Sequence, residues 1–208
     1  MTSENLLRHV AEYYESKLSA HGATPAGVDW NSEASQLLRF RQLLRIVVPE
    51  ERSGTLNDFG CGYGALADYV SAHHPDWTYC GFDVSPKMIE TARRIHGQQA
   101  GREFTADRSR LGTATYTVAS GIFNVKLDTP EDAWTEYVLE TLQTMSGVSA
   151  SGFAFNVLSA YADPARKRKD LYYADPLRLF EYCRTRFSPR VALLHDYPLF
   201  EFTMLVRR

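Results

Sequence analysis

From Thr55 to the end of the chain, short apolar strand patterns alternate with amphipathic helix patterns, and this alternation constrains the fold more than any other feature. TLNDF reads as a short buried strand, and a glycine-rich turn leads into the helix ALADYVSAHH. WTYCGFD is the next strand. Ser85 then caps a helix whose first position is Pro86, a strong start signal. REFTA and ATYTVAS are the third and fourth strands, and Thr129-Pro130-Glu131 opens a helix through about Met145. GFAFNVLS is the fifth strand, Asp175-Pro176 opens a helix through about Arg186, and VALLHDY and FEFTMLV are closing strands. Strands alternating with helices imply a parallel sheet covered on both faces. The last two strands are separated by only about four residues, too few for a crossover helix, so they are predicted to form an antiparallel hairpin. The expected fold class is α/β, with a seven-stranded, mostly parallel sheet, an antiparallel C-terminal strand and helices on both faces.

Residues 1–50 read as an N-terminal helical cap, and residues 51–208 as the core. Leu6, Leu7, Val10, Tyr14 and Leu18 recur at helical spacing until Gly22, and a Gly/Pro loop follows. Asn31 or Ser32 can cap a second helix carrying Leu37, Phe40, Leu44 and Val47, which Pro49 ends. The formal net charge is −2, so no global cationic field draws nucleic acid, and sequence-independent nucleic-acid binding is not expected. No apolar run approaches the ~20 residues of a membrane span, and the N-terminus lacks the apolar segment of a secretory signal. Three well-separated cysteines, Cys61, Cys80 and Cys183, fit neither a disulfide framework nor a zinc site. The expectation is a cytoplasmic protein without a metal, a monomer or homodimer.

Asp58-Phe59-Gly60-Cys61-Gly62-Tyr63-Gly64 occupies the first strand-to-helix turn. Glycines there permit positive φ and close approach of backbone to ligand, and the turn aims helix N–H groups at whatever lies beyond the strand ends. Asp83 closes the second strand, where a carboxylate can accept both hydroxyls of a ribose. The spacing also fits a dinucleotide fingerprint, with an acid about twenty residues on. Three features favour S-adenosylmethionine over a nicotinamide cofactor. Asp58 can reach a cationic amino group, Asp107 closes the third strand where it can accept from an adenine amino group, and the closing hairpin is foreign to dehydrogenase sheets.

LNDFGCGYGAL, CGFDVSPKMIETAR and FTADRSRL resemble the first three motifs of class I S-adenosylmethionine-dependent methyltransferases, a likeness covering roughly residues 33–207. The resemblance implies a Rossmann-like sheet, S-adenosyl-L-methionine as cofactor, and methyl transfer as the activity. Carried over by position, it places Asp58 and Gly60 at the methionine moiety, with Cys61, Gly62 and Gly64 in the same turn. Asp83 is placed at the ribose, Val84 and Met88 beside the adenine, and Asp107 on the adenine amino group with Arg108 next to it. Asp107 fits a helix cap as well. Ser120 stands at the exit of the fourth strand, and Trp30 can wall the cofactor pocket together with Tyr13 and Tyr14. By the same analogy Gln36 and Arg39, on one helix face, reach the methionine carboxylate. The fourth motif, TYTVASGIFNV, departs from the family, since Tyr116-Thr117 stand where an acid is common.

The acceptor end is less defined. Ligands on open α/β sheets sit beyond the strand carboxyl ends. That places Phe123 and Asn124 after the fourth strand, Tyr161, Tyr172 and Tyr173 after the fifth, and Tyr197 in the final hairpin as candidate substrate contacts. His195 is the candidate general base, and a hydrogen-bonded hairpin histidine fits it equally. Arg166-Lys167-Arg168-Lys169 reads either as a lid that attracts an anionic substrate or as a solvated charge run. The expected function is methyl transfer to an O or N atom of a small-molecule acceptor. The alternatives are protein or RNA methylation, a non-catalytic S-adenosylmethionine-binding partner subunit and, more distantly, a dehydrogenase.

Overall fold

A computed structural model describes residues 3–208. Seven strands form one sheet: β1 (Gly54–Phe59), β2 (Trp77–Phe82), β3 (Arg102–Thr105), β4 (Ala114–Ala119), β5 (Ser149–Leu158), β6 (Arg190–Leu194) and β7 (Glu201–Arg207). Their order is β3-β2-β1-β4-β5-β7-β6. β7 is antiparallel to both of its neighbours, and the remaining pairings are parallel. The hairpin expectation holds, with residues 195–200 as the connection. β7 inserts between β5 and β6, so β6 again runs parallel to β5.

Six helices accompany the sheet: α1 (Ser3–His21), α2 (Glu33–Leu43), α3 (Ala65–His73), α4 (Pro86–His96), α5 (Glu131–Gly147) and α6 (Pro176–Arg186). Local chemistry sets their starts. Ser32, Ser85 and Asp175 each accept backbone N–H bonds at the first turn of α2, α4 and α6. One face of the sheet packs α2, α3 and α4 through Phe40, Leu43, Leu66, Val70 and Ile89. The other packs α5 and α6, where Trp134, Leu142, Leu179 and Cys183 meet Phe153, Phe155 and Met204.

The helical unit of residues 1–50 divides. Phe40, Leu43, Leu44 and Ile46 are built into the core with Leu56, Val118 and Leu205, so α2 is part of the sheet-covering layer. α1 and the 3-10 turn Pro25–Val28 lie at the strand carboxyl ends, held by Tyr13 Oη on Asp29 (2.7 Å), Lys17 on Asp29 (2.8 Å) and Ser85 Oγ on Glu15 (2.6 Å). Residues 106–113 connect β3 to β4 with a single 3-10 turn, Arg108–Arg110. Leu111 packs beside Phe59 and Phe82, and Asn57 donates to the Gly112 carbonyl, so this short segment covers the sheet there. Among the described residues no helix is long and apolar enough to cross a membrane.

Trp134 is fully buried and donates its indole N–H to the Phe123 carbonyl (2.8 Å). Trp134→Ala is expected to cost about 3–5 kcal/mol of stability through the cavity and the lost bond, read from urea unfolding. A cost below about 1 kcal/mol would show that the layer collapses freely.

Candidate active site

The glycine turn is fixed from the neighbouring strand. Gly60 and Cys61 donate to the Phe82 carbonyl (2.7 and 2.9 Å), and Gly62 N–H donates to Asp83 Oδ2 (2.8 Å). The other Asp83 oxygen accepts from Ser85 N–H (2.9 Å), at the start of α4. Gly60 lies at φ +83, and a Cβ there would come within 2.2 Å of Ile122 Cγ2. Only glycine suits both the conformation and the closeness.

A cavity opens above this turn, between the ends of β1, β2 and β4 and the underside of α1. Its floor is Asp58, Gly60, Cys61, Gly62, Asp83 and Ser120, and Val84, Met88, Trp30 and Gln36 wall it. Two buried polar atoms on the floor have no partner among the described residues, Asp58 Oδ1 and Ser120 Oγ. Buried polar groups are ordinarily bonded, so these point to a polar ligand. Asp58 Oδ2 accepts from Tyr79 Oη (2.6 Å). Burial pushes the Asp58 carboxyl up to about 7, against the pull of that bond, and the nearby Asp83 charge adds to the rise. Asp83 is likewise raised by burial and lowered by its two backbone donors.

A second cavity adjoins the first and shares Tyr14, Val28 and Trp30 with it. It lies over the ends of β4 and β5, where Asn124, Leu158, Ala162, Arg166, Arg168 and Tyr173 contribute to its wall. Trp30 stands between the two spaces. The Arg39 guanidinium stacks on its ring 3.8 Å from the centroid, and Gly121, at φ +74, leaves the room that Trp30 fills.

Residues 57–143 match the family model described as a methyltransferase domain. The chain is 46% identical over 154 residues to Rv1506c of Mycobacterium tuberculosis, which is named as a methyltransferase. The match covers 74% of this chain and 93% of that protein. The chain belongs to the class I S-adenosylmethionine-dependent methyltransferases. The fold agrees. Human N-acetylserotonin methyltransferase with S-adenosylmethionine superposes with a TM-score of 0.67 at 14% identity, over 100% of this chain and 60% of the human one. The N-methyltransferase NodS of Bradyrhizobium japonicum, with S-adenosylhomocysteine, gives 0.65 at 15% identity over 95% and 97% of the two chains. This chain therefore spans 60% of the length of the human enzyme.

A methyltransferase of this family uses S-adenosylmethionine, and the first cavity fits it. An orphaned carboxylate oxygen and an orphaned hydroxyl match the ammonium and carboxylate of a methionine end. The remaining lone pairs of Asp83 can accept from ribose hydroxyls.

Several candidate residues of this methyltransferase stand elsewhere. Arg39 does not line the cofactor cavity. Its Nε and Nη2 both lie 2.9 Å from Oε2 of the fully buried Glu201, whose other oxygen accepts from Asn156 (3.3 Å). Gln36 does line it and accepts from Tyr63 Oη (3.2 Å). Asp107 is exposed and caps the turn Arg108–Arg110 through Ser109, and neither Asp107 nor Arg108 lines the cavity. Among the acceptor candidates, Asn124 and Tyr173 line the second cavity. Phe123 is fully buried between Phe155 and Tyr137, because its side chain turns to the α5 face. Tyr172 is buried with its hydroxyl on Thr135 (3.1 Å), and Tyr197 with its hydroxyl on Thr203 (2.9 Å). Tyr161 and His195 are exposed, 6.1 Å apart by ring centroids, and line neither cavity. β6 is the sheet edge, so its end lies far from β4.

Sequence reasoning left Tyr137 of α5 out of the cofactor set, and no local signal marks it. Leu7, Val10, Ala11 and Tyr14 also line the cavity, and their i, i+3, i+4, i+7 spacing on α1 places them on one face. Cys61 lines it too, where burial, with the Asp83 charge beside it, holds its thiol well above the usual range.

Two predictions follow from these charges. Between the ordinary carboxylate value of 3.8 and about 7, unfolded Asp58 has lost a proton that the folded protein keeps. Stability of the ligand-free protein therefore falls as pH rises through that window. Binding an ammonium needs the ionised form, so affinity for S-adenosylhomocysteine should rise from pH 5.5 to 7, and Asp58→Asn should flatten and weaken it. Calorimetric titration reads this, and a flat wild-type profile would refute the assignment. Separately, Arg39→Met should cost about 3–5 kcal/mol by stranding Glu201, while Arg39→Met with Glu201→Leu should recover most of it in denaturant unfolding.

Proposed function

We propose that this methyltransferase moves a methyl group to an O or N atom of a small-molecule acceptor bound in the second cavity. The observation that carries the reading is the shared wall of Tyr14, Val28 and Trp30, which sets two cavities side by side, one at the carboxyl ends of β1, β2 and β4 and the other over those of β4 and β5. S-adenosylmethionine supplies a methyl group already activated on a sulfonium. The work left to the chain is alignment and exclusion of water.

In this reading Asp58 and Ser120 hold the charged methionine end, with Gln36 donating from α2. Asp83 holds the ribose, while Val84 and Met88 flank the adenine. The glycines at 60 and 62 let the backbone lie against the cofactor, whereas Gly64 stands outside the cavity and makes room for Phe104, His96 and Ala92. Tyr14 and Trp30 stand where donor and acceptor meet. No histidine lines the second cavity among the described residues, and its carboxylate, Asp29, is engaged by Tyr13 and Lys17. Positioning, rather than a strong base, then sets the rate.

Incubating the protein with methyl-labelled S-adenosylmethionine and a cell extract tests this. Label in the small-molecule fraction is expected. Label confined to protein or RNA would replace the proposal with a macromolecular acceptor, and cofactor binding without any product would support a non-catalytic partner subunit. On the acceptor so found, His195→Gln should leave kcat/KM within about twofold, since the ring stands outside both cavities. A hundredfold loss would restore His195 as the base.

A further inference from the structure

We propose that the acceptor is an anion, a small molecule carrying a carboxylate or phosphate group on an apolar body. Arg166 and Arg168 face its charge. The inference rests on the second cavity being the acceptor site and adds the chemistry of what enters it.

The charged side chains that line this cavity among the described residues are three arginines, Arg39, Arg166 and Arg168, and one acid, Asp29. Asp29 is already spent. One oxygen takes Lys17 (2.8 Å), the other takes Tyr13 Oη (2.7 Å). Burial works against its ionisation, yet these two partners hold its carboxyl below the usual range. The acid therefore stays an internal ion pair and offers little to a cationic ligand. Arg39 is committed in part to Glu201, which lies behind it and does not line the cavity. Arg168 gives Nε and Nη2 to the two oxygens of Asp170, which does not line the cavity, so Nη1 is the nitrogen left for a ligand, and the Arg168 backbone N–H is fixed by Tyr173 Oη (3.0 Å).

Arg166 is the least satisfied. Its nearest carboxylate, Asp163, is 3.9 Å away, and its guanidinium makes no hydrogen bond among the described residues. It lies over the Phe200 ring instead, 5.2 Å from the centroid. A guanidinium resting on an aromatic face keeps its N–H edge for a planar oxyanion. Lys167 is tied to the Ala160 carbonyl (2.7 Å), which anchors the segment carrying both arginines back onto the end of β5. Arg166 and Arg168 remain more than half exposed (69% and 54%), so they stand at the cavity mouth, placed there by Phe200 and Asp170 and by the Lys167 anchor. Val125, Leu158, Leu171 and Phe200 give the wall an apolar stretch that suits a hydrocarbon or aromatic body, beside the amides of Asn31 and Asn124.

The test uses the full chain saturated with S-adenosylhomocysteine, titrated calorimetrically with 4-hydroxybenzoate, phenyl phosphate, 4-hydroxybenzamide and tyramine. At least one of the two anions should bind tenfold or more tightly than the neutral amide and the cation. Arg166→Gln and Arg168→Gln should each weaken the anion three- to tenfold, and leave amide and S-adenosylhomocysteine binding unchanged. Ala162→Trp, which fills the cavity, should abolish anion binding, and retained S-adenosylhomocysteine binding reports that the variant folds. If that variant does not fold, loss of anion binding in Arg166→Gln/Arg168→Gln locates the site instead. Amide or tyramine binding as tightly as the anions, and blocked by Ala162→Trp, would overturn the anion inference while leaving the acceptor cavity in place. Binding of no probe, or binding that neither variant disturbs, would overturn both.

Discussion

The Asp83 carboxylate joins the two turns on which the cofactor end is built. One oxygen takes the Gly62 N–H and the other takes the Ser85 N–H, so the exits of β1 and β2 are tied at one half-buried point. The cost of burying that charge is visible as an upward pull on its carboxyl, and the two backbone donors offset it. Without such a tie, a turn with three positive-φ glycines would have many conformations of similar energy. With it, the open backbone of the turn is presented as a rigid surface. The same residue that fixes the turn also lines the cavity, so the turn's geometry and the cavity floor share one group.

A second buried charge organises the opposite side. Glu201 begins β7, faces the α2 layer and meets Arg39, while Asn156 links Glu201 to the Gly121 N–H (2.6 Å). A buried ion pair is weak evidence for stability, because desolvation offsets most of its attraction. Its geometric effect is clearer. It connects α2, β5, β7 and the exit of β4, and it supports the Trp30 ring between the two cavities. Arg39 thereby shapes the partition between the two cavities and stands outside the first, which Asp58, Ser120 and Gln36 line.

The fold was largely legible in the sequence because its signals are local. Ser85-Pro86 and Asp175-Pro176 mark helix starts by satisfying their own N–H groups, and each strand is a short apolar run between breakers. The cofactor turn was legible for the same reason, since glycines and acids at strand ends need no distant partner. The acceptor side was not. Phe123 and Tyr172 lie in the segments named for it, yet a single backbone rotation decides whether such a ring faces a cavity or the core. His195 fails for a different reason, since the order of strands in the sheet sends β6 to the edge, and Tyr161, just past β5, turns its ring out to solvent. Tyr137 reaches the cofactor cavity from the middle of α5, where nothing in its neighbourhood distinguishes it from a core tyrosine.

The alternation of strands and helices, the antiparallel hairpin, and the turn with its carboxylates at the first two strand ends are all written locally in the chain. These follow from periodicity, capping and backbone freedom, which act over a few residues. That Arg39 belongs to Glu201, that Trp30 separates two cavities, and that Arg166 and Arg168 line the second of them emerges when the chain is folded. Each of those depends on groups distant in the chain meeting at close range, and burial and charge compensation act on what is near in space.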